Sequence, residues 1–572
     1  MLLQISPPLA RAIPPDTPHS IVHSLPEWKD NIDFAVSKKE LFDALEATYP
    51  RFVLHPLVRE LVGLVKCTGD ISEDDECLLF PSQRGADACC AFLARHFPQL
   101  ASKFGVRCVT HLATAPRSQQ IFAVTYPKDK QEKAMKFWTF TGEGISSRLA
   151  ESCLLGGRGI QSDDLGLPSA KGHILLDYYL QNQPLTDVSL AKDAIRKRFA
   201  GVIDEQGGNI RGVPAVSHTD VYLFPTGMSA VWNAHQLLLG TVAKRKGMER
   251  VKTAHVNILY VDSYKLLELT SHGYYFFSNE TIDDLESLLV TGSPECPAVL
   301  GIFTDFPANP NLQSADLPRL RALADEYGIP LFIDETVGCH LNVQVTPYAD
   351  VIIGSLTKVF SGFGNVLGGA LMLNPSSRFF NEFKQHMQAT YEDNYFDRDV
   401  LVMEVNSRGM EDRVAVINRN AEALSDMLYA LSATAGIVKG NCIVKEVFYP
   451  KYQNPESYRR CCRISAAEKS PCMFGSIGYS GLLSVSFTSL DAAKVFYSAL
   501  PCYKGPSLGT VFTLATPFTA IGFPPEKMTW AKEHHLDETL VRISVGTEER
   551  SSLMNGIALA LKKAEEFCAS KV

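Results

Sequence analysis

The chain contains the sequence Val351-Ile-Ile-Gly-Ser-Leu-Thr-Lys-Val-Phe-Ser-Gly-Phe-Gly-Asn-Val-Leu-Gly-Gly369, in which a short apolar run leads to Lys358 and then to glycines. The apolar run predicts a buried strand, and a lysine at its end is costly as a cation because burial disfavours the charge. That cost suits a nucleophilic lysine that forms a Schiff base. Ser355 and Thr357 alternate with a leucine, so we expect both hydroxyl groups to face the same way, where they would suit a phosphate. A lysine that only snorkels after a core strand is the structural alternative.

A second apolar run, Pro330-Leu-Phe-Ile-Asp334-Glu-Thr336-Val337, carries a carboxylate at its end. Ligands of open α/β sheets bind at the carboxyl ends of the strands. An aspartate in that place is either a cap for the next helix or the partner that a pyridinium nitrogen requires. Its position 24 residues before Lys358 favours the second interpretation.

Residues 221–239 predict a strand, a glycine turn and a helix, with the sequence Val221-Tyr-Leu-Phe-Pro-Thr-Gly227-Met228-Ser at the turn. The first N–H groups of such a helix point outward, and together with the helix dipole they bind phosphate. Many α/β turns share this pattern. Its occurrence ahead of Asp334 and Lys358, in that order, makes the combination specific.

With these three segments the sequence resembles the cystathionine γ-synthase branch of the Cys/Met-metabolism enzymes. Those enzymes depend on pyridoxal 5′-phosphate (PLP) and share the aspartate-aminotransferase-like fold, fold type I. The chain is most similar to the long fungal members that carry an N-terminal extension, and the resemblance is good from about residue 173 onward. It implies that Lys358 is the Schiff-base lysine and that Asp334 pairs with the pyridinium nitrogen. The cofactor-binding residues that it implies are Gly227, Met228, Asn309, Asp334, Thr336, Ser355, Thr357, Lys358 and Tyr179.

Two further segments match the family's substrate site. Arg542, in Val541-Arg-Ile-Ser-Val-Gly546, corresponds to the arginine that holds the substrate α-carboxylate, and Ser507 begins the family's Ser-Leu-Gly. The implied reaction is γ-replacement on an O-acyl-L-homoserine through a vinylglycine-type intermediate, with L-cysteine as the nucleophile and L-cystathionine as the product. Lys358 would move the protons on Cα and Cβ. A carbon nucleophile, sulfide, a γ-lyase reaction and a non-catalytic scaffold stay open as alternatives.

The sequence departs from the family at two places on the cofactor rim. The family's Tyr-x-Arg, which reaches the cofactor phosphate from a neighbouring subunit, is matched by Tyr179-Leu-Gln181, and a glutamine carries no charge for the phosphate. We expect Arg148 to compensate, and we expect Gln181→Arg to tighten PLP binding. The family's Tyr-Gly-Gly is also missing, and Tyr264 is the candidate for a catalytic ring over the cofactor.

Composition and charge narrow the class of protein. Hydrophobic residues make up 46% and charged residues 21% of the 572, and the net charge is −8. The negative net charge argues against binding to nucleic acids or anionic membranes, and no apolar run is long enough for a transmembrane helix. The 14 cysteines lack the spacing of a zinc site, so we expect no metal and a reduced, cytoplasmic protein. The expected partners are small amino-acid substrates and further copies of the chain, as a homodimer or homotetramer.

The order of the predicted elements gives the fold class and the domains. Alternating strands and helices from residue 221 to 374 predict an α/β domain with a mostly parallel sheet. We place an N-terminal extension of unknown role at 1–165, a PLP-binding large domain at 166–376 and a smaller α+β domain at 377–572. Five prolines within the first 20 residues predict an extended or poorly ordered start.

Overall fold

A computed structural model describes most residues of the chain. The strands of the described residues form three sheets. The described residues are 6–49, 51–68, 71–109, 120–158, 187–202, 208–244, 252–270, 273–293, 298–437, 442–463, 478–523, 528–534 and 536–571. Within these ranges, no helix has both the length and the apolar sequence that a membrane crossing needs.

The N-terminal extension contains a small antiparallel sheet surrounded by helices. Its elements are α1 (Trp28–Ala35), α2 (Lys39–Ala44), α3 (Pro56–Thr68), β1 (Asp75–Phe80), α4 (Gln83–His96), β2 (Gly105–Cys108), β3 (Phe122–Pro127), α5 (Gln131–Thr141) and α6 (Ser147–Arg158). Strand β3 lies between β1 and β2 and is antiparallel to both. The apolar end of β1, Leu78 to Phe80, is fully buried, so this part of the chain has its own hydrophobic core.

The central part of the chain forms a larger sheet. Its elements are α7 (Val188–Ala200), β4 (Val221–Phe224), α8 (Gly227–Leu238), β5 (Thr253–Val256), α9 (Val261–Thr270), β6 (Tyr274–Phe277), α10 (Ile282–Val290), β7 (Ile302–Asp305), α11 (Leu317–Tyr327), β8 (Leu331–Asp334), β9 (Val351–Ser355) and β10 (Gly369–Leu373). The seven strands follow the order β4-β10-β9-β8-β7-β5-β6. The five from β9 to β6 are parallel, and β10 is antiparallel to β9 and β4. The predicted α/β fold with a mostly parallel sheet is confirmed.

The C-terminal part adds a third, mainly antiparallel sheet in the order β11-β12-β15-β14-β13. Its elements are α12 (Phe380–Thr390), α13 (Asp397–Ser407), α14 (Met410–Ala430), β11 (Val444–Phe448), α15 (Pro455–Cys461), β12 (Leu482–Phe487), α16 (Leu490–Ala499), β13 (Tyr503–Lys504), β14 (Leu514–Thr516), α17 (Phe518–Gly522), α18 (Met528–Glu533), β15 (Val541–Ser544) and α19 (Arg550–Ala569). The two boundaries between the three domains stay predictions.

Residues 6–49 lie across the C-terminal part of the chain. The Leu25 N–H group donates to the Lys504 carbonyl at 2.9 Å, and the Tyr497 hydroxyl group donates to the Leu25 carbonyl at 2.8 Å. Ile13 and Val22 are completely buried. The expectation of a poorly ordered start is therefore wrong from residue 6 onward, because apolar side chains between the prolines pack against the rest of the protein.

Candidate active site

A cavity of about 380 Å³ lies where the N-terminal extension, the central sheet and the C-terminal part meet. Asp305, Asp334 and Ser355 line it, and they are the last residues of β7, β8 and β9. Because neighbouring parallel strands end at one edge of a sheet, their terminal side chains come together there.

Lys358 lies in this cavity, three residues after the end of β9. Its Nζ is 3.4 Å from the Ser507 Oγ and 4.9 Å from the centre of the Tyr49 ring. Burial lowers the pKa of Lys358, and Arg542 and Arg51 act in the same direction, while Tyr49 opposes them. A lowered pKa favours the neutral amine, which is the form that a nucleophile or a base needs.

The two hydroxyl groups before Lys358 do not face the same way. Ser355 lines the cavity, whereas the Thr357 Oγ1 donates to the Gly368 carbonyl at 3.2 Å and accepts from the Gly368 N–H group at 3.0 Å. The expectation failed because β9 ends at Ser355 and the chain then turns, so the alternation of a strand does not reach Thr357. In this structure the predicted pair reduces to Ser355.

Asp334 is a buried carboxyl group whose surroundings favour a positively charged partner. It accepts a hydrogen bond from the Thr336 N–H group at 2.8 Å, and the Thr336 Oγ1 in turn accepts from the Ser355 N–H group at 2.7 Å. Burial raises the pKa of Asp334 to about 6, against the opposing effect of Thr336. Burial and the neighbouring Asp334 raise the pKa of Asp305 as well. A cation between these two acids would relieve the cost of their burial.

Gly227 and Met228 line the cavity at the start of α8. The N-cap of this helix is Thr226, whose side chain accepts from the Ser229 N–H group at 2.9 Å. A Cβ on Gly227 would lie 2.7 Å from the Ser355 Oγ, so only glycine fits there. The helix N-terminus thus lies close to Ser355, and the N–H groups of a helix start together with a hydroxyl group suit an anion such as a phosphate.

Arg542 and Asn309 meet in the same cavity. The Arg542 Nη1 donates to the Asn309 Oδ1 at 3.1 Å, and its Nη2 donates to the Ser507 carbonyl at 2.8 Å. The arginine is 5% exposed. Its hydrogen-bond partners among the described residues are neutral, and none of them is a carboxylate. Burial lowers the pKa of Arg542 to about 10. A buried guanidinium with neutral partners is a ready site for a carboxylate ligand.

The structure contradicts the interpretation of Tyr264 as the ring over the cofactor. Tyr264 is not among the residues that line the cavity, and its hydroxyl group donates to the Asn257 carbonyl at 3.1 Å and accepts from the Leu259 N–H group at 2.9 Å. Tyr264 lies within α9, whose turn directs it into the core. The cavity contains Tyr260, the residue just before this helix.

Tyr49 and Arg51 are cavity residues that the sequence reasoning missed. The Arg51 Nη2 donates to the Tyr260 hydroxyl group at 2.9 Å and to the Asp262 Oδ2 at 2.8 Å, and its Nη1 donates to the Thr139 carbonyl at 2.6 Å. The sequence did contain a clue to their role, because Tyr49-Pro-Arg51 matches the family's Tyr-x-Arg pattern.

From the sequence this role was assigned to Tyr179 and Gln181, with Arg148 expected to compensate. Tyr179 and Gln181 lie outside the described residues. Arg148, which was expected to compensate for Gln181, is paired with Asp399 at 3.0 Å and donates to the Asn365 carbonyl at 2.7 Å. It does not line the cavity. Arg51 does line it, on the side of the N-terminal extension.

Comparison with known families places the chain. Residues 217–562 match the family described as Cys/Met metabolism PLP-dependent enzyme, and this match covers more than half of the chain. The chain belongs to that family. Residues 57–146 match the N-terminal domain of fungal trans-sulfuration enzymes, which confirms the predicted type with an extension. The protein is an enzyme, its cofactor is PLP, and its fold agrees with fold type I.

Similar fungal proteins carry several names. The chain is 37% identical to a cystathionine γ-synthase-like enzyme, iboG1, of Amanita muscaria, over 98% of this chain and 99% of that protein. It is 31% identical to the cystathionine γ-synthase of Neurospora crassa, over 98% of both chains. It is also 29% identical to an alanine racemase, ungC, of Aspergillus violaceofuscus, over 96% of both. Overall similarity therefore does not fix the substrate.

The residues of the cavity fit PLP. The helix start at Gly227 and the neighbouring Ser355 hydroxyl group, which leave no room for a Cβ on Gly227, suit the phosphate. The acids Asp334 and Asp305 suit the pyridinium nitrogen. Lys358 offers the amine that holds the aldehyde. These individual roles stay predictions.

Proposed function

We propose that the protein catalyses γ-replacement on an O-acyl-L-homoserine, with L-cysteine as the nucleophile and L-cystathionine as the product. The observation that carries this proposal is the shared contact of Lys358 and Arg542 with Ser507. The Lys358 Nζ lies 3.4 Å from the Ser507 Oγ, and the Arg542 Nη2 lies 2.8 Å from its carbonyl oxygen. An amino acid whose carboxylate pairs with Arg542 would thus present its Cα–H bond to Lys358.

Each group in the cavity then has one task. PLP, when bound, supplies an electron sink in conjugation with the substrate Cα. Arg542 fixes the carboxylate. The neutral Lys358 amine takes the proton from Cα, gives it up to the conjugated system that PLP would supply and, neutral again, takes one from Cβ. The Cγ–O bond then breaks, and the acyloxy group leaves as a carboxylate with the bonding electron pair. The resulting Cβ=Cγ double bond accepts the nucleophile at Cγ. Lys358 returns the protons in the reverse order.

The nucleophile would enter past Lys265. Its side chain is 35% exposed, lines the cavity and lies 3.3 Å from the Asp262 Oδ1, and that acid also pairs with Arg51. Two cations thus share one carboxylate, so the group carries a net positive charge. The carboxylate of L-cysteine would find a partner in Lys265.

A second candidate is the same γ-substitution with a carbon nucleophile. The observation in its favour is the apolar wall on the extension side of the cavity, formed by Phe34, Phe42, Phe52 and Phe140. Such a wall suits a less polar reactant than L-cysteine. Sulfide and a γ-lyase reaction use the same first half of the chemistry.

One competition assay separates these reactions. Purified enzyme receives O-acetyl-L-homoserine with L-cysteine, sulfide and a β-keto acid together, and the products are measured by mass spectrometry. We expect L-cystathionine to dominate. A carbon–carbon product alone would replace the proposal by the second candidate, and 2-oxobutanoate formed equally with or without nucleophile would indicate a lyase. Lys358→Ala is the control, and it should form none of them. A cytoplasmic location and a homo-oligomeric state stay predictions.

A further inference from the structure

Two parts of the chain share one order of residue types. Cys77-Leu-Leu-Phe-Pro-Ser82-Gln-Arg-Gly-Ala86 has an apolar run, Phe-Pro, a hydroxyl residue and an alanine four positions later. Val221-Tyr-Leu-Phe-Pro-Thr226-Gly-Met-Ser-Ala230 has the same types at the same spacing. Tyr49-Pro-Arg51 precedes the first of these segments, and Tyr179-Leu-Gln181 precedes the second. We call residues 49–96 the first unit and residues 179–238 the second unit.

The described residues of the two units also share their local structure. Strand β1 and strand β4 each lead through a proline to an N-cap in extended backbone, with φ −143° and ψ 149° at Ser82 and φ −144° and ψ 160° at Thr226. Each hydroxyl oxygen accepts from the N–H group three residues on, at 3.1 Å from Gly85 and at 2.9 Å from Ser229. Helices α4 and α8 follow. The Phe-Pro pair, the capping hydroxyl group and the cap geometry thus agree between the two units.

The units have kept different parts of the cofactor site. The second unit has Gly227-Met228 at its helix start, where the cavity lies, and it has Gln181 in place of an arginine. The first unit has Gln83-Arg84 at its helix start, but it keeps Tyr49 and Arg51 (the latter stands where Gln181 does). Each unit lacks what the other has retained.

The two helix starts face each other through Glu143. The Glu143 carboxylate accepts from the Ser229 hydroxyl group and from the Asn233 Nδ2, the latter at 3.1 Å. Its other oxygen lies 3.4 Å from where a Cβ on Gly85 would stand. The Arg84 Nη2 donates to the Asn233 Oδ1 at 3.0 Å. These contacts join the first unit to the second unit of the same chain.

We propose that the first unit is an internal copy of the second, and that it completes the cofactor site in cis with Tyr49 and Arg51. Each site then holds all its groups on one chain, and Gln181 has no role at the phosphate. This assembly is independent of which nucleophile reacts, so it stands or falls separately from the proposed function.

Mixed oligomers test the proposal. Lys358→Ala chains and Arg51→Gln chains, which carry different tags, are co-expressed, and the species with both tags is isolated. PLP is fixed to Lys358 with borohydride at graded PLP concentrations, and the labelled peptide is measured by mass spectrometry. If the site forms in cis, labelling needs about ten- to a hundredfold more PLP than in wild type, as in the Arg51→Gln homo-oligomer. Labelling at the wild-type concentration would show that Arg51 arrives from the other chain and would overturn the proposal.

Two controls keep the test decisive. Gln181→Arg should leave the PLP dissociation constant unchanged, because Arg51 already lies in the cavity, and tighter binding would contradict the proposal. This expectation replaces the one drawn from the sequence. If Arg51→Gln does not fold by circular dichroism, Arg51→Lys takes its place. If no mixed species forms because the wild type sediments as a monomer, tight PLP binding by that monomer supports assembly in cis.

Discussion

Arg51 and Asp262 form a buried ion pair at the edge of the cofactor cavity, with the Nη2 and Oδ2 atoms 2.8 Å apart and the side chains 2% and 4% exposed. Although burial opposes ionisation of Asp262, Arg51 and Lys265 lower the pKa of this acid. The pair holds the guanidinium group in place before any anion arrives, so little ordering remains to be done when a phosphate binds.

Asp262→Asn should therefore make the protein more dependent on PLP. The variant leaves Arg51 buried without its countercharge, which costs about 3–5 kcal/mol in comparable pairs, and a bound phosphate would restore a partner. We expect a lower melting temperature without PLP and a larger rise on PLP addition than in wild type. Asp283→Asn removes an 80% exposed partner of Arg319 and should change neither value. Equal PLP-induced rises in wild type and Asp262→Asn would contradict the expectation.

Asp334→Asn should stabilise the apoprotein at neutral pH. The folded pKa of Asp334, about 6, lies above the ordinary 3.8, so the folded state binds the proton more tightly. Its stability therefore falls as pH rises from about 4 to about 6, and above that the ionised group costs on the order of 3 kcal/mol. Asparagine removes this cost. Urea unfolding should show the gain at pH 8 and its loss near pH 4.

With PLP bound, the same substitution should act in the opposite direction. Asparagine cannot provide a negative charge for the pyridinium nitrogen, so the holoenzyme should lose most of its activity. Full activity of Asp334→Asn would show that the end of β8 is not at the ring nitrogen.

Arg542→Ala should raise the KM for the amino-acid substrate and leave the PLP dissociation constant unchanged. A hydrogen-bonded charged pair contributes about 1.5–3 kcal/mol, which corresponds to roughly a ten- to hundredfold change. Arg378→Ala is the matched control, because Arg378 lies on the surface beside Asp325. An unchanged KM would place the substrate carboxylate elsewhere.

Tyr260→Phe and Tyr264→Phe should have separate effects. Tyr260 lines the cavity and its hydroxyl group accepts from Arg51, so its loss should weaken PLP binding. The Tyr264 hydroxyl group satisfies two backbone groups in the core, so its loss should cost about 1–3 kcal/mol of unfolding free energy and leave PLP binding unchanged. The reverse pattern would restore Tyr264 as the active-site ring.

Lys265→Met should raise the KM for L-cysteine but not that for O-acetyl-L-homoserine. Methionine keeps most of the aliphatic length and removes the charge that would meet the second carboxylate. Lys252→Met is the control, because Lys252 lies over the Tyr275 ring and does not line the cavity. A rise in both KM values would assign Lys265 to the first substrate.

The sequence predicted those site residues whose positions follow from local rules. Asp334 and Ser355 end adjacent parallel strands, and Lys358 follows shortly after, so their meeting point could be inferred from strand order. The predicted side-chain directions of Thr357 and Tyr264 were wrong. Thr357 follows the end of β9 and Tyr264 follows the start of α9, so neither side chain keeps the direction of the preceding segment.

Arg51 could not be placed in the same way. Its contact with Asp262 joins residues 211 positions apart, and it depends on how the extension packs against the central sheet. Local patterns carry no information on such packing. The repeated Phe-Pro-Ser/Thr segments would have been the useful clue, because they relate residues 49–51 to the segment around Tyr179.

The hydrogen bond between Tyr497 and Leu25 joins residues 472 positions apart. During synthesis on the ribosome, Leu25 is therefore made long before its partner. At roughly 5–20 residues per second, about half a minute to a minute and a half separates the synthesis of the two partners. During that interval Ile13 and Val22, which are fully buried in the finished protein, have no docking surface from the C-terminal part. The cavity, whose wall includes Phe34, Tyr49 and Arg542, closes only after the last strand has emerged. A nascent chain that stalls before β15 would expose its first fifty residues to chaperones and proteases, so premature termination should yield degradation and not a partly active enzyme.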